Sequence, residues 1–255
     1  MPDNCRGLQL SGVYIVQSGQ QTDRKSQEQL FISVADGICH ALLQLNQLSE
    51  TVDPDAIDSQ ATHWKTVQDI TGASMALLEG YSMTLRLQQG MEVPVVVPMA
   101  APTLLKDTVR VLAPYAAQFG VQIELDISPR LEPILTDRAV LQSALISLGQ
   151  VFIMAHAETE EPKPVRLAAH KSRHGIVVGF YGYGIEMSAA ALRRARSLRG
   201  KVYQPYSKFV SGPASGIFVA DGLLHTVAAQ LHAARYHNVA GLAVTMPACN
   251  QLQLV

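Results

Sequence analysis

Eight histidines are spread through the 255 residues, and one of them, His40, sits in "FISVADGICHALLQLNQLSE", an apolar stripe at helical spacing. An imidazole on the flank of a helix can serve as a nucleophile or a proton carrier, and it can equally be one polar residue on a packed helix. Both readings stay open for His40. No other histidine pairs with Cys, Asp or Glu at metal-ligand spacing, so His63, His156, His225, His232 and His237 are read as surface or capping residues. Cys5, Cys39 and Cys249 are far apart and odd in number, which predicts reduced thiols, no disulfide and no structural metal. Two glycine clusters stand out, "GFYGYGI" at 179–185 and "GPASG" at 212–216. Such pairs are common and specify no ligand by themselves. Arg193, Arg194, Arg196 and Arg199 in "LRRARSLRGK" could hold an anion or a partner's acidic face, although a solvated charged helix explains such a run equally.

The elements that must position these residues follow from periodicity. Leu30, Phe31, Val34, Ile38, Leu42, Leu45 and Leu48 recur at three- and four-residue steps, which predicts a long amphipathic helix over 25–49. A turn with Pro54 separates it from a second helix that carries Trp64, Val67, Ile70, Leu77, Leu78, Tyr81 and Leu85 on one face and ends near Gly90. Two such helices make an antiparallel hairpin, whose apolar seams are usually buried by dimerising into a four-helix bundle. Beyond Gly90, "VPVVVPMAAP" reads as an extended, proline-punctuated strand, 103–119 as a helix, "VQIELDI" as a strand and 137–155 as a helix. "PVRLAAHKSRHGIVVGFYG" reads as two strands, 217–233 as a helix and "ARYHNVAGLAVTMP" as a last hairpin. The expected product is α+β, a helix-backed antiparallel sheet.

Bulk properties exclude several classes. An apolar fraction of 48% against 16% charged residues describes a well-buried globular chain, not a disordered one. A net charge of −1 gives no field to draw nucleic acid. No run of about eighteen uninterrupted apolar residues occurs, and the first residues lack a charged stretch before an apolar core, which predicts a cytoplasmic protein with no membrane span.

Taken in order, several pieces resemble the bacterial sensor histidine kinases over roughly residues 25–248. "VLAPYAAQFGVQIELDI" looks like the helix and strand that open that family's ATP-binding domain, and "TDRAVLQSALISLGQVFIMA" looks like its N-box helix. "VVGFYGYGI" is similar to the first glycine motif, "VYQPY" to the F box, and "SGPASGIFVADGLLHTVAAQL" to the second glycine loop with its helix. The resemblance implies an N-terminal tail or short strand at 1–24, a dimerisation and phosphotransfer-like helical hairpin at 25–90, and a GHKL or Bergerat-type α/β sandwich at 91–255.

It also marks where this sequence departs from the family. Ser147 and Gln150 stand at N-box positions where the family's asparagine holds magnesium. Phe180 replaces the aspartate that accepts a hydrogen bond from the adenine amino group, while Gly182, Gly184 and Ile185 fit the motif. Gly212 and Gly216 are kept in the second loop, with Ala214 where a middle glycine would sit. A degenerate pocket with ATP and magnesium binding lost or weak is therefore expected, with no other cofactor or metal. One register places His40 at the family's phosphoacceptor histidine, with Ala41 where the orienting acid would be; another, anchored on Phe31, puts Gly37 there instead. The resemblance implies a homodimeric two-component signalling protein that docks response-regulator receiver domains and relays phosphoryl groups through His40. Its alternatives are a non-catalytic pseudokinase scaffold binding a kinase or receiver, and an active histidine kinase with an atypical pocket.

Overall fold

The computed structural model describes residues 57–157, 164–182, 192 and 215–249. The tail at 1–24 and the helix expected over 25–49, with its His40, lie outside the described residues. The first described element, α1 (Ile57–Gln88), lies where the second N-terminal helix is expected. Its contact with the rest of the fold is made through Gly80 and Thr84, which are buried, and through Tyr81, Met83 and Leu87, which lie against the main core; Trp64 and Leu78, read as part of a seam that dimerisation would bury, are exposed in the single chain.

A short strand β1 (Val97–Met99) follows, then α2 (Ala101–Gln118), β2 (Ile123–Ile127), β3 (Ile134–Thr136) and α3 (Arg138–Ala157). Pro102, in the first turn of α2, costs no internal hydrogen bond there. Leu104, Leu105, Thr108, Leu112 and Ala116 form the buried stripe of this helix at the spacing read from sequence. At the start of α3, Asp137 Oδ1 accepts from the Ala139 and Val140 amides at 2.8 and 3.1 Å and caps the helix. The other oxygen, Oδ2, accepts from the Val95 amide at 2.7 Å and ties the extended segment before β1 to the cap. By length and composition α3 could cross a membrane, but 67% of its apolar window is buried inside the protein, as suits a central core helix.

The strands β4 (Val165–Ser172) and β5 (Gly175–Tyr181), the helix α4 (Ser215–Thr226) and the hairpin β6 (Leu231–Tyr236) and β7 (Val239–Met246) complete the order. Five strands form one sheet in the order β2-β4-β5-β7-β6, with α2, α3 and α4 packed on one face. The sheet is mixed: β2 runs parallel to β4, and the other neighbours are antiparallel. That corrects the antiparallel expectation, and the cause is the crossover through β3 and α3 that returns the chain beside β2. His237 and Asn238, both at positive φ, make the two-residue turn between β6 and β7. The helix expected over 217–233 stops at Thr226, because Ala228 is left-handed at φ 55° and the Ala229 amide closes on Leu224 O at 2.9 Å.

The strands β1 and β3 form a separate antiparallel pair, with Pro98 opposite Leu135. Leu135 donates its amide away from β1, to Pro247 O at 3.0 Å, so Pro98 turns its nitrogen to the free side of the strand. Around it Met91, Val93, Val95, Val96 and Val97 are exposed.

Candidate functional site

The positions singled out in the N box, the first glycine motif and the second glycine loop converge where α3 meets the end of β5 and the start of α4. Phe180 points from β5 into the helical layer and is fully buried. Its ring lies 5.8 Å from that of Phe152, tilted by 33°. Gly149 admits it: a Cβ there would stand 2.3 Å from Leu112 Cδ1 and 2.9 Å from Phe180 Cζ. The neighbouring Tyr181 faces the opposite side of the sheet, where it joins a smaller cluster with Ala168, Val177, Val239 and Ala243.

One turn beyond Phe152 comes His156, read from sequence as a surface or capping residue. It is fully buried, with Nδ1 2.8 Å from Phe152 O. Burial pushes its pKa below the ordinary imidazole value, the bond to Phe152 O offsetting this in part. Its ring lies directly on Gly182, where a Cβ would come to 2.2 Å from His156 Cε1. Phe180 and His156 thus line the end of the first glycine motif. The reason His156 escaped the sequence reading is local: a lone histidine near a helix end is commonly a cap. The signal that could have found it is the helix itself, which is apolar all round and offers a polar side chain no solvent face.

Ser147 is 1% exposed and its Oγ has no hydrogen-bond partner. Gly216, at the start of α4, approaches so closely that a Cβ would stand 2.6 Å from Ser147 O and 2.7 Å from Val151 Cγ2. From the other side a Cβ on Gly80 of α1 would stand 3.5 Å from Ser147 Oγ. Residue Ser147 is therefore enclosed between α1, on the side of its hydroxyl, and α4, on the side of its carbonyl. Gln150 is buried in the same helix. Gly184, Gly212, His40 and the four arginines lie outside the described residues, and the side chain of His63 does as well. Among the other histidines, His225 and His237 are exposed, as expected of surface positions, and His232 is half-buried. Among the described residues no group of three His, Cys, Asp or Glu side chains could hold a metal ion.

No family model and no curated protein matches the sequence. Solved structures do match. The histidine kinase AdeS of Acinetobacter baumannii superposes with a TM-score of 0.54 at 10% identity, over 84% of this chain and 98% of that one. The fold is the histidine-kinase fold. Full-length ShkA in complex with AMPPNP gives 0.52 at 15% identity over 90% of this chain and 46% of that one. The histidine kinase ThkA in complex with the response regulator protein TrrA gives 0.52 at 12% identity, over 97% and 68%. At these identities the likeness is one of fold, and the histidine-kinase frame is what brings Ser147, Phe180, Gly182 and Gly216 to one place.

Proposed function

We propose that this chain is a two-component signalling protein whose nucleotide pocket has been given over to packing. It acts as a cytoplasmic homodimer, paired through the helices of 25–90, and docks response-regulator receiver domains. The observation that carries the reading is Phe180. A phenyl ring seated between Gly149, Leu112 and Phe152 accepts no hydrogen bond from a purine, and the space beside it holds His156. Ser147, enclosed between α1 and α4, is no more suited to hold magnesium, which needs several well-placed oxygens. These residues do not fit ATP and magnesium. A likeness to a kinase captured with a response regulator supports the choice of partner.

The reaction assigned to the chain is reversible transfer at His40. An imidazole nitrogen attacks the phosphorus of a receiver's aspartyl phosphate; the N–P bond forms, the P–O bond to the aspartate breaks, the carboxylate leaves and the imidazole N–H proton passes to solvent. A second reading, a pseudokinase scaffold without chemistry, is favoured by Ala41, since no acid stands beside His40 to orient its ring.

Two measurements test this. Titration calorimetry with ATP and magnesium should show no binding, and a micromolar Kd would overturn the filled pocket. Incubation with phosphorylated receivers should place acid-labile label on the chain and none on His40→Ala. Label that survives the substitution removes the relay, and absence of label with every receiver that binds leaves the scaffold.

A further inference from the structure

The helix α1 does not merely neighbour the α/β layer; it is fitted to it by small residues. Gly80 sits where a Cβ would stand 3.0 Å from Val219 Cγ1 of α4 and 3.5 Å from Ser147 Oγ of α3. One turn on, Thr84 is fully buried and donates its hydroxyl to Gly80 O at 2.8 Å, so it makes no polar demand on its neighbour. Its methyl meets a matching absence in α4, where a Cβ on Gly222 would come to 2.9 Å from Thr84 Cγ2. Glycine thus stands on each helix opposite a branched side chain of the other, and Tyr81, Met83 and Leu87 extend the contact into the main core. Interlocked small and branched residues give two helices one well-defined arrangement, because packed interiors resist sliding. The outward side of α1 is different in kind, with Trp64, Gln68, Thr71, Met75 and Leu78 exposed at three- and four-residue steps.

We propose that the crossing of Gly80 and Thr84 over Val219 and Gly222 is a fixed joint, which makes α1 and the sheet layer one rigid lever and holds a second copy of the chain, paired along the apolar outward side of α1, at a set distance and angle from the sheet. This rests on the reading above only in that a lever needs a partner on α1; the joint itself is independent of nucleotide.

The test is a distance measurement on the full chain. Spin labels at Glu79→Cys on α1, outside the outward stripe, and Arg173→Cys in the β4–β5 turn, both exposed positions, are placed in a background with Cys5, Cys39 and Cys249 changed to serine and diluted with unlabelled protein. The expected distance distribution is single and narrow, and Gly80→Leu broadens it. Amide exchange over 80–88 rises by roughly tenfold or more in that variant, while exchange in β4 and β5 is unchanged. Gly222→Ala broadens the distribution as well, and adding Thr84→Ser, which removes only the opposing methyl, narrows it again. A broad distribution in the parent, a narrow one in Gly80→Leu, or no rescue by Thr84→Ser overturns the joint. Calorimetry with nucleotide is unaffected by any of these outcomes, so a failed joint and a failed pocket reading are told apart.

Discussion

At His156 the decisive interaction is steric. Its ring occupies the volume that any side chain at position 182 would need, so Gly182→Ala should destabilise the protein by roughly 1–3 kcal/mol through overpacking. His156→Ala in the same chain should lower that cost, and urea titrations of the two single variants and the double variant read the coupling directly; strictly additive losses would mean that ring and glycine do not touch. The same ring predicts a pH dependence. Because burial lowers its folded pKa below the ordinary 6.5, the unfolded chain binds the proton first as pH falls. Stability is therefore full above about pH 6.5 and declines below it until the folded pKa is passed. His156→Ala should flatten this acid limb by up to one proton, and His170, whose pKa burial also lowers, should keep part of the slope. An acid limb of unchanged steepness in the variant counts against a neutral, buried ring. The direction of Phe180 follows from the alternation of β5, whose residues Ile176, Val178 and Phe180 face the helices. His156 was not legible in the sequence, since its role depends on a contact with a glycine 26 positions away.

Among the elements, α2 was readable because its buried residues keep a period of 3.6, and α3 because its apolar run is too long for a strand. The end of α4 was not, because 217–233 is apolar on nearly every residue and periodicity cannot separate a buried helix from a buried strand there. A single left-handed alanine, Ala228, decides it. With three residues, β3 is too short to carry a pattern, and the parallel pairing of β2 with β4 is a non-local fact that neither strand states alone. The contact of α1 with the α/β layer was not legible for a physical reason: small residues, not large ones, let helices approach most closely, so the buried positions Gly80 and Thr84 carry no hydrophobic signal. Helix α3 offers a test of the same principle. Gly149→Ala removes a helical glycine, worth about 1 kcal/mol in the variant's favour by intrinsic propensity. The added methyl, 2.3 Å from Leu112 Cδ1, should more than cancel this, and a lower midpoint in thermal unfolding is expected. A raised midpoint would mean that Leu112 and Phe180 are free to give way.

For the molecule as a whole, the strand order and the helices on one face of the sheet are those of the histidine-kinase fold. Among the described residues, α1 packs its inward side on α4 and leaves Trp64, Met75 and Leu78 exposed, and the proposed pairing with a second copy would use that stripe. Light scattering across a concentration series should report a dimer, and Met75→Glu with Leu78→Glu should shift it to monomer by placing charges in the seam. A monomer at every concentration in the parent would remove the paired bundle. Pro98 carries one more consequence. A chain that leaves Val93, Val95, Val96 and Val97 in water along an extended segment invites backbone recruitment by its neighbours, the first step towards fibrous assembly. With the nitrogen on the open side of β1 closed into a pyrrolidine ring, an incoming strand finds no donor there, and the segment can stay greasy without seeding a growing sheet.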